Sequence, residues 1–371
     1  MSSRVEVVTP DQVEQALAAM LTGAGTVVRV VDQGVRPTPV DESDLPEGFT
    51  GALVSTSGST GRAKTVMLSH EALIAGAEAT HRRLGGGGAW INPLPVTHVA
   101  GLMTVVRAVL AGRPYVPVSA RLAHLPVPPG RSYLSLVPAQ LHRCLRDPVA
   151  RERLASYHTV LIGGAVVDSG LRTAGEAAGI TLVATYGMSE TCGGAVYDGL
   201  PLDGVTIGFS YDGARADASP AGRILLTTPA AFSGYLGDPT QTAATLHDHC
   251  VLTSDRGELV DGRLRVLGRI DDVVQSGGAN VDLAEVQGLL DQEFHGQVAC
   301  FAAPDPVWGA TVVVASTNPT LEQIKARLDA RLESAARPRG CLRVEAIPHT
   351  ASGKLDRPAL VERWEHHERV L

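Results

Sequence analysis

Lysine is nearly missing from this sequence. It occurs at three of 371 positions, Lys64, Lys325 and Lys354, and arginine supplies the other 29 of the 32 basic side chains. Two of the three lie in loops rich in Gly, Ser and Thr, where a compact, mobile ammonium differs from a planar guanidinium. Lys64 and Lys354 are therefore the first candidates for chemistry. Five cysteines, 41 to 58 residues apart, lack the paired spacing of a zinc ribbon or a disulfide framework and suit a reducing cytoplasm. Basic clusters are missing too. The net charge is −7 and the arginines are scattered, which argues against a nucleic-acid surface or a membrane-binding patch. No basic segment leads into an apolar core near the N-terminus, so no secretion signal is expected. Residues 84–106 carry no formal charge, but four consecutive glycines, Asn92, Pro93 and Pro95 interrupt them, whereas a membrane span wants ~20 predominantly apolar residues. The partners expected are small molecules.

What is present is a layered pattern. The length suits two or three domains of ~150 residues each. Thr9-Pro10-Asp11-Gln12 starts a helix with Val13, Leu17, Met20 and Leu21 on one face, and a strand follows over 26–31. Apolar strand, small-residue loop and helix then alternate: 51–55 with 69–84, 89–91 with 102–110, 133–137 with 139–145, and 159–162 with 169–178. This alternation predicts an α/β fold with largely parallel strands and ligands at the loops beyond their C-terminal ends. From about residue 207 the texture changes to short strands and turns, including 223–227 and 264–267. After Gly277-Gly278 the pattern predicts a helix over 282–294, strands near 298–302 and 312–316, a helix over 321–332 and a strand near 342–346. That is a small α+β module of about 100 residues.

Residues 53–73 carry the strongest site signal, an apolar run followed by seven small residues and Lys64. Backbone N–H groups of Ser55 to Gly61, with the hydroxyls of Thr56, Ser57, Ser59 and Thr60, can approach polyphosphate oxygens, and Lys64 adds a point charge. The P-loop pattern fits at Gly58, Lys64 and Thr65 but fails at Ala63, where its second glycine belongs. A second turn, Tyr186-Gly187-Met188-Ser189-Glu190-Thr191, follows the apolar run 181–184. Its hydroxyls can face a phosphate and Glu190 can ligate a phosphate-bound Mg²⁺. A helix start with its acid near the positive dipole end accounts for the same residues equally well.

Together these stretches resemble the adenylate-forming superfamily of acyl-CoA ligases, peptide-synthetase adenylation domains and luciferases. Its signature loop is similar to residues 53–65, and its second signature to Tyr186-Gly187-Met188-Ser189-Glu190. Gly163-Gly164-Ala165 resembles the adenine-flanking loop, Asp255 the acid that holds the ribose hydroxyls, and Gly268-Arg269-Ile270-Asp271-Asp272 with Gly277-Gly278 the segment joining two domains. Thr350 to Arg357 resembles the C-terminal lysine loop. Two departures stand out: Ala63-Lys64-Thr65 replaces Pro-Lys-Gly, and roughly the first hundred residues of most acyl-CoA ligases have no counterpart. Compactness and small-residue loops are most similar to one branch, the actinobacterial o-succinylbenzoate–CoA ligases of menaquinone synthesis.

The resemblance implies an N-terminal ATP- and acid-binding domain at 1–268, a hinge at 269–272 centred on Asp271, and a mobile C-terminal domain at 273–371. It implies a ligase that joins a carboxylate to the α-phosphorus of ATP, releases pyrophosphate, and passes the acyl group to coenzyme A. Lys354 would bridge the carboxylate and the α-phosphate. Thr56, Ser57, Gly58, Ser59, Thr60, Gly61 and Lys64 would hold the outer phosphates, with Mg²⁺ on Glu190. Gly163, Gly164, Ala165, Thr185, Tyr186, Gly187, Met188, Ser189 and Thr191 would line the nucleotide, Asp255 and Arg269 would take the ribose, and Gly277-Gly278 the pantetheine channel. His98 would gate the acyl pocket beside Gly187, although a satisfied core histidine reads the same way. Arg107, which ends the uncharged stretch, would meet the second carboxylate of a dicarboxylic acid. Loading of a carrier protein, another acyl substrate, a P-loop kinase and an inactive sensor remain alternatives at this level.

Overall fold

The computed structural model describes residues 4–56, 64–127, 130–165, 167, 169–211, 214–215, 221–350 and 355–366. Ser57, Gly58, Ser59, Thr60, Gly61 and Lys354 lie outside the described residues. The chain divides into two compact units, one of Met1–Gly208, Leu225–Thr253 and Asp261–Leu264, the other of Phe209–Ile224, Ser254–Val260 and Arg265–Leu371.

In the first unit, β1 (Arg4–Val8), β2 (Thr26–Val30) and β3 (Gly51–Thr56) run parallel, and β4 (Lys64–Ser69) returns antiparallel to β3 with Thr56 opposite Lys64. The short strand Gly234–Tyr235 closes the far edge, Tyr235 opposite Val66. The pattern over 51–84 predicts strand, loop and helix; the structure inserts β4 before the helix α2 (His70–Arg83). Val66, Met67 and Leu68 are buried in succession, and such short apolar runs read alike as buried strand or buried helix. The helix itself begins where expected, because the Ser69 hydroxyl accepts from the Ala72 amide as its N-cap. α1 (Val13–Leu21) and α3 (Val99–Leu110) complete this layer. Leu17, Val28, Val66, Leu68, Leu73 and Val106 are completely enclosed there, each side chain worth ~1.5–3 kcal/mol of burial.

The second sheet has five parallel strands, β5 (Ala89–Asn92), β6 (Tyr115–Pro117), β7 (Ser132–Leu136), β8 (Thr159–Ile162) and β9 (Leu182–Met188), extended antiparallel by β10 (Gly193–Tyr197) and β11 (Leu200–Pro201). Spatial order is β11-β10-β9-β8-β7-β5-β6, and the parallel run of β5 to β9 is what the strand-helix alternation predicts. A further sheet, containing Cys250–Val260 paired with Arg263–Arg269, has strands whose residues fall in both units.

The second unit's own sheet pairs Val298–Asp305 with Gly309–Ser316, flanked by Val273–Ser276, Ala279–Asp282 and Gly340–Arg343. Its strand Val298–Asp305 alternates faces. Val298 and Cys300 meet the helices Leu283–Phe294 and Leu321–Leu328, while Ala299 and Phe301 meet Leu360 and Trp364 of helix Arg357–His366. The helix expected over 321–332 stops at Leu328, where the Arg331 amide turns back onto the Leu328 carbonyl at 2.8 Å.

Candidate nucleotide site

The two ends of the small-residue loop are fixed by the β3–β4 hairpin. Thr56 closes β3, its hydroxyl 3.5 Å from the Lys64 carbonyl, and Lys64 opens β4. The Lys64 ammonium lies 5.0 Å from the ring centroid of Tyr235, a distance at which the negative face of the ring attracts a cation. Tyr235 Oη in turn donates to Glu190 Oε1 at 2.6 Å. Burial, and then the Glu190 charge, push the phenol well above its ordinary pKa, so it stays protonated and serves as donor. The lysine of the first motif and the carboxylate of the second therefore meet on one tyrosine. Its segment is pinned on both sides: the Leu236 amide donates to the Thr65 carbonyl and the Phe232 amide to the Glu190 carbonyl, each at 2.9 Å.

The second motif runs on as strand to Met188 before a single 3₁₀ turn at Ser189–Thr191. Tyr186, Met188, Ser189 and Glu190 are half-buried and Gly187 is exposed. Thr191 is 1% exposed, and its hydroxyl donates to the Gly193 carbonyl at 2.7 Å and accepts from the Met188 amide at 3.0 Å, which shapes the turn. At the neighbouring strand end, a Cβ on Gly163 would run into the Thr185 hydroxyl, so β8 and β9 approach there only with glycine. Gly164 and Ala165 follow it into the loop.

His98 is the residue from which α3 starts, half-buried, with its imidazole pKa lowered by burial and partly restored by Asp32. Arg107, on the same helix, is 4% exposed. Its guanidinium lies 5.0 Å from the Trp90 ring centroid, and its Nε has no hydrogen-bond partner among the described residues. Burial, and then the Arg107 charge, hold the His81 imidazole below its usual range.

Within the second unit, Arg269 makes a two-pronged bond to Asp271, at 2.8 and 2.7 Å, and lies 3.5 Å from Asp255, which is 9% exposed. Arg357 grips both oxygens of Asp272, at 2.9 and 2.8 Å, and donates to the Cys300 carbonyl. The His349–Leu355 bridge and the bond from the Asp356 amide to the Pro348 carbonyl, 3.0 Å, close the base of the lysine loop. Gly277 and Gly278, both at positive φ, form the two-residue turn between Val273–Ser276 and Ala279–Asp282, with the Gly277 amide on the Trp308 carbonyl.

Tyr235 and Trp90 escaped the sequence reading, and Asp272 was named there only within the hinge segment 269–272. A signal existed for the first two: aromatic residues make up 4% of the chain, so each rare ring beside a loop or a lone cation carries information just as the rare lysines do.

The profile of the AMP-binding enzymes matches residues 7–236, and that of the AMP-binding enzyme C-terminal domain matches residues 289–354. The chain belongs to the AMP-binding enzyme family. A Mycobacterium tuberculosis (strain H37Rv) protein named probable 2-succinylbenzoate–CoA ligase is 40% identical over 339 residues, 84% of each chain. The 2-succinylbenzoate–CoA ligase of Listeria monocytogenes serotype 4b is 31% identical over 332 residues, 84% of this chain and 70% of that one. The fold of this AMP-binding enzyme matches that of o-succinylbenzoate CoA synthetase from Bacillus subtilis in complex with its acyl-adenylate intermediate. The TM-score is 0.75 at 20% identity, over 96% of this chain and 88% of that one. No helix among the described residues is long and apolar enough to cross a membrane.

Proposed function

We propose that this enzyme is an AMP-forming 2-succinylbenzoate–CoA ligase of menaquinone synthesis. It adenylates the acid with release of pyrophosphate, then transfers the acyl group to coenzyme A with release of AMP. The observation that carries the reading is the 40% identity, over 84% of both chains, to a relative named for that reaction. The convergence of Lys64 and Glu190 on Tyr235 supports it, because it sets a cation and an acid together at Lys64, the residue that follows the loop proposed to cradle phosphate.

The carboxylate is already a nucleophile, so catalysis is mainly positioning and charge neutralisation. Lys64 and the loop from Thr56 hold the outer phosphates, and Lys354 bridges the carboxylate and the α-phosphate. Asp255 and Arg269 hold the ribose, and residues 163–165, 185–189 and Thr191 line the nucleotide. Among the described residues no group of three or more His, Cys, Asp and Glu side chains could hold a metal alone. A single carboxylate with one oxygen already hydrogen-bonded suits Mg²⁺, which is usually bound by one or two carboxylates together with substrate phosphates. Glu190 would hold the ion, which neutralises charge on the departing phosphates. His98, kept neutral by its burial, gates the acyl pocket, and Arg107 meets the second carboxylate of the acid. The C-terminal domain at 273–371 turns about Asp271, withdrawing Lys354 and bringing Gly277-Gly278 to the pantetheine channel. Five unpaired thiols accord with a cytoplasmic enzyme.

The test is a panel of aryl, succinylaryl and fatty acids, each given with ATP, Mg²⁺ and CoA and scored for pyrophosphate and thioester. The expected result is AMP, pyrophosphate and thioester with 2-succinylbenzoate above all. ADP as product would overturn the reading, and adenylation without thioester formation on free CoA would move it to carrier loading.

A further inference from the structure

Three side chains in the first unit form a contact that no motif predicts. The Tyr235 ring is 6% exposed, its edge-on contact with Phe232 has centroids 5.0 Å apart, and the Thr245 hydroxyl faces its oxygen. The backbone on either side of it is bonded to β4 and to Glu190, so the ring has little freedom. From this fixed position it meets the Lys64 ammonium with its face and Glu190 Oε1 with its hydroxyl.

We propose that Tyr235 is a positioning residue for the metal-bound triphosphate, its hydroxyl fixing the Glu190 carboxylate for Mg²⁺ and its ring fixing the Lys64 ammonium. The inference rests on the ligase reading above. A carboxylate with one oxygen tied to a phenol loses its rotational freedom and presents the other oxygen to the cation. Such outer partners of a metal ligand are typically worth roughly 10- to 100-fold in metal affinity or activity. The ring does something separate. It holds the ammonium through its quadrupole, so all three N–H donors stay available to phosphate, which a carboxylate partner would not allow. Two functions on one side chain can be separated by two substitutions.

The experiment is calorimetric ATP binding to the full chain at a series of Mg²⁺ concentrations, with pyrophosphate release as a second readout. Tyr235→Phe keeps the ring and removes the hydroxyl: the Mg²⁺ midpoint should rise about 10-fold, with Mg²⁺-free ATP binding kept. In a Glu190→Gln background the same substitution should add nothing, whereas a merely structural tyrosine would act equally in both. Tyr235→Leu removes the ring as well, and Mg²⁺-free ATP binding should then fall about 3-fold, the size of a modest cation–π contact. An unshifted Mg²⁺ midpoint in a folded Tyr235→Phe, with normal Mg²⁺-dependent binding in the wild type, overturns this inference alone. Absence of Mg²⁺-dependent ATP binding in the wild type overturns the ligase reading and this inference with it.

Discussion

Lys64 and Arg107 of the first unit are held differently from the arginines around the proposed hinge segment in the second. In the first unit Lys64 rests on the face of Tyr235 and Arg107 on the face of Trp90. In the second, Arg269 is forked onto Asp271 through Nε and Nη2, Arg357 Nη1 reaches both oxygens of Asp272, and Arg256 is paired with Asp282, while Arg339 lies 3.7 Å from the Trp308 ring centroid. The chemistry available to each is not the same. A ring steadies a cation without neutralising it or consuming its N–H donors, so the charge remains for an arriving anion. A bidentate carboxylate consumes two donors and cancels the charge, which builds a joint in the chain. We read Lys64 and Arg107 as ligand contacts, and the Arg357–Asp272 and Arg256–Asp282 pairs as architecture around the segment proposed as the hinge.

The largest effect that tests this contrast falls on Lys354. With Arg256 and Arg357 read as architectural, the charge proposed for adenylation in the C-terminal domain is that of Lys354. Lys354→Ala should lower the adenylation rate roughly 10²–10³-fold, while thiol transfer from supplied acyl-adenylate is largely kept. Equal loss in both half-reactions would contradict a turning C-terminal domain. Next comes Arg357. Both partners of the Arg357–Asp272 pair are mostly buried, with side chains 22% and 17% exposed. Burial of Asp272 raises its carboxyl pKa, and Arg357 offsets part of that rise. Arg357→Leu strands the acid in the interior and should cost roughly 3 kcal/mol, read as a lower denaturation midpoint. Asp272→Asn added to it should recover part of the loss. A Lys64→Met variant serves as the control, since removing a ring-held cation should barely move the midpoint while weakening ATP binding.

Much of this was legible in local sequence, and the rest fails for two physical reasons. Loops that cradle phosphate need small residues in succession, so residues 55–61 and the turn at Ser189–Thr191, both proposed for that role, stand out over a few positions. The α/β alternation is equally local. β4 was missed because Thr65 to Leu68 is too short for periodicity to separate buried strand from helix. Tyr235 and Glu190 are 45 residues apart, and Asp272 and Arg357 85 apart. Contacts at such separation leave no spacing to read, and they become visible only once the sheets bring the strands together.

The smallest effect concerns Arg107, which sits on a ring like Lys64 but inside the helical layer. Its charge reaches His81, where burial is the larger cause of the lowered pKa and Arg107 the next. A histidine whose folded pKa lies below its unfolded value stabilises the fold fully above about pH 6.5. That contribution is lost as the pH falls through the window down to the folded pKa, because the unfolded chain binds the proton more readily. Arg107→Met should remove the Coulombic part, so the His81 titration seen by NMR moves back up toward its ordinary range and the acid-side loss of stability becomes shallower. The same variant should raise KM for 2-succinylbenzoate about 10-fold, the scale of a lost hydrogen bond to a charged group, and leave KM for a monocarboxylic analogue unchanged. If His81 shifts while the dicarboxylate KM does not, Arg107 belongs with the architectural arginines, and a ring partner alone ceases to mark a ligand contact.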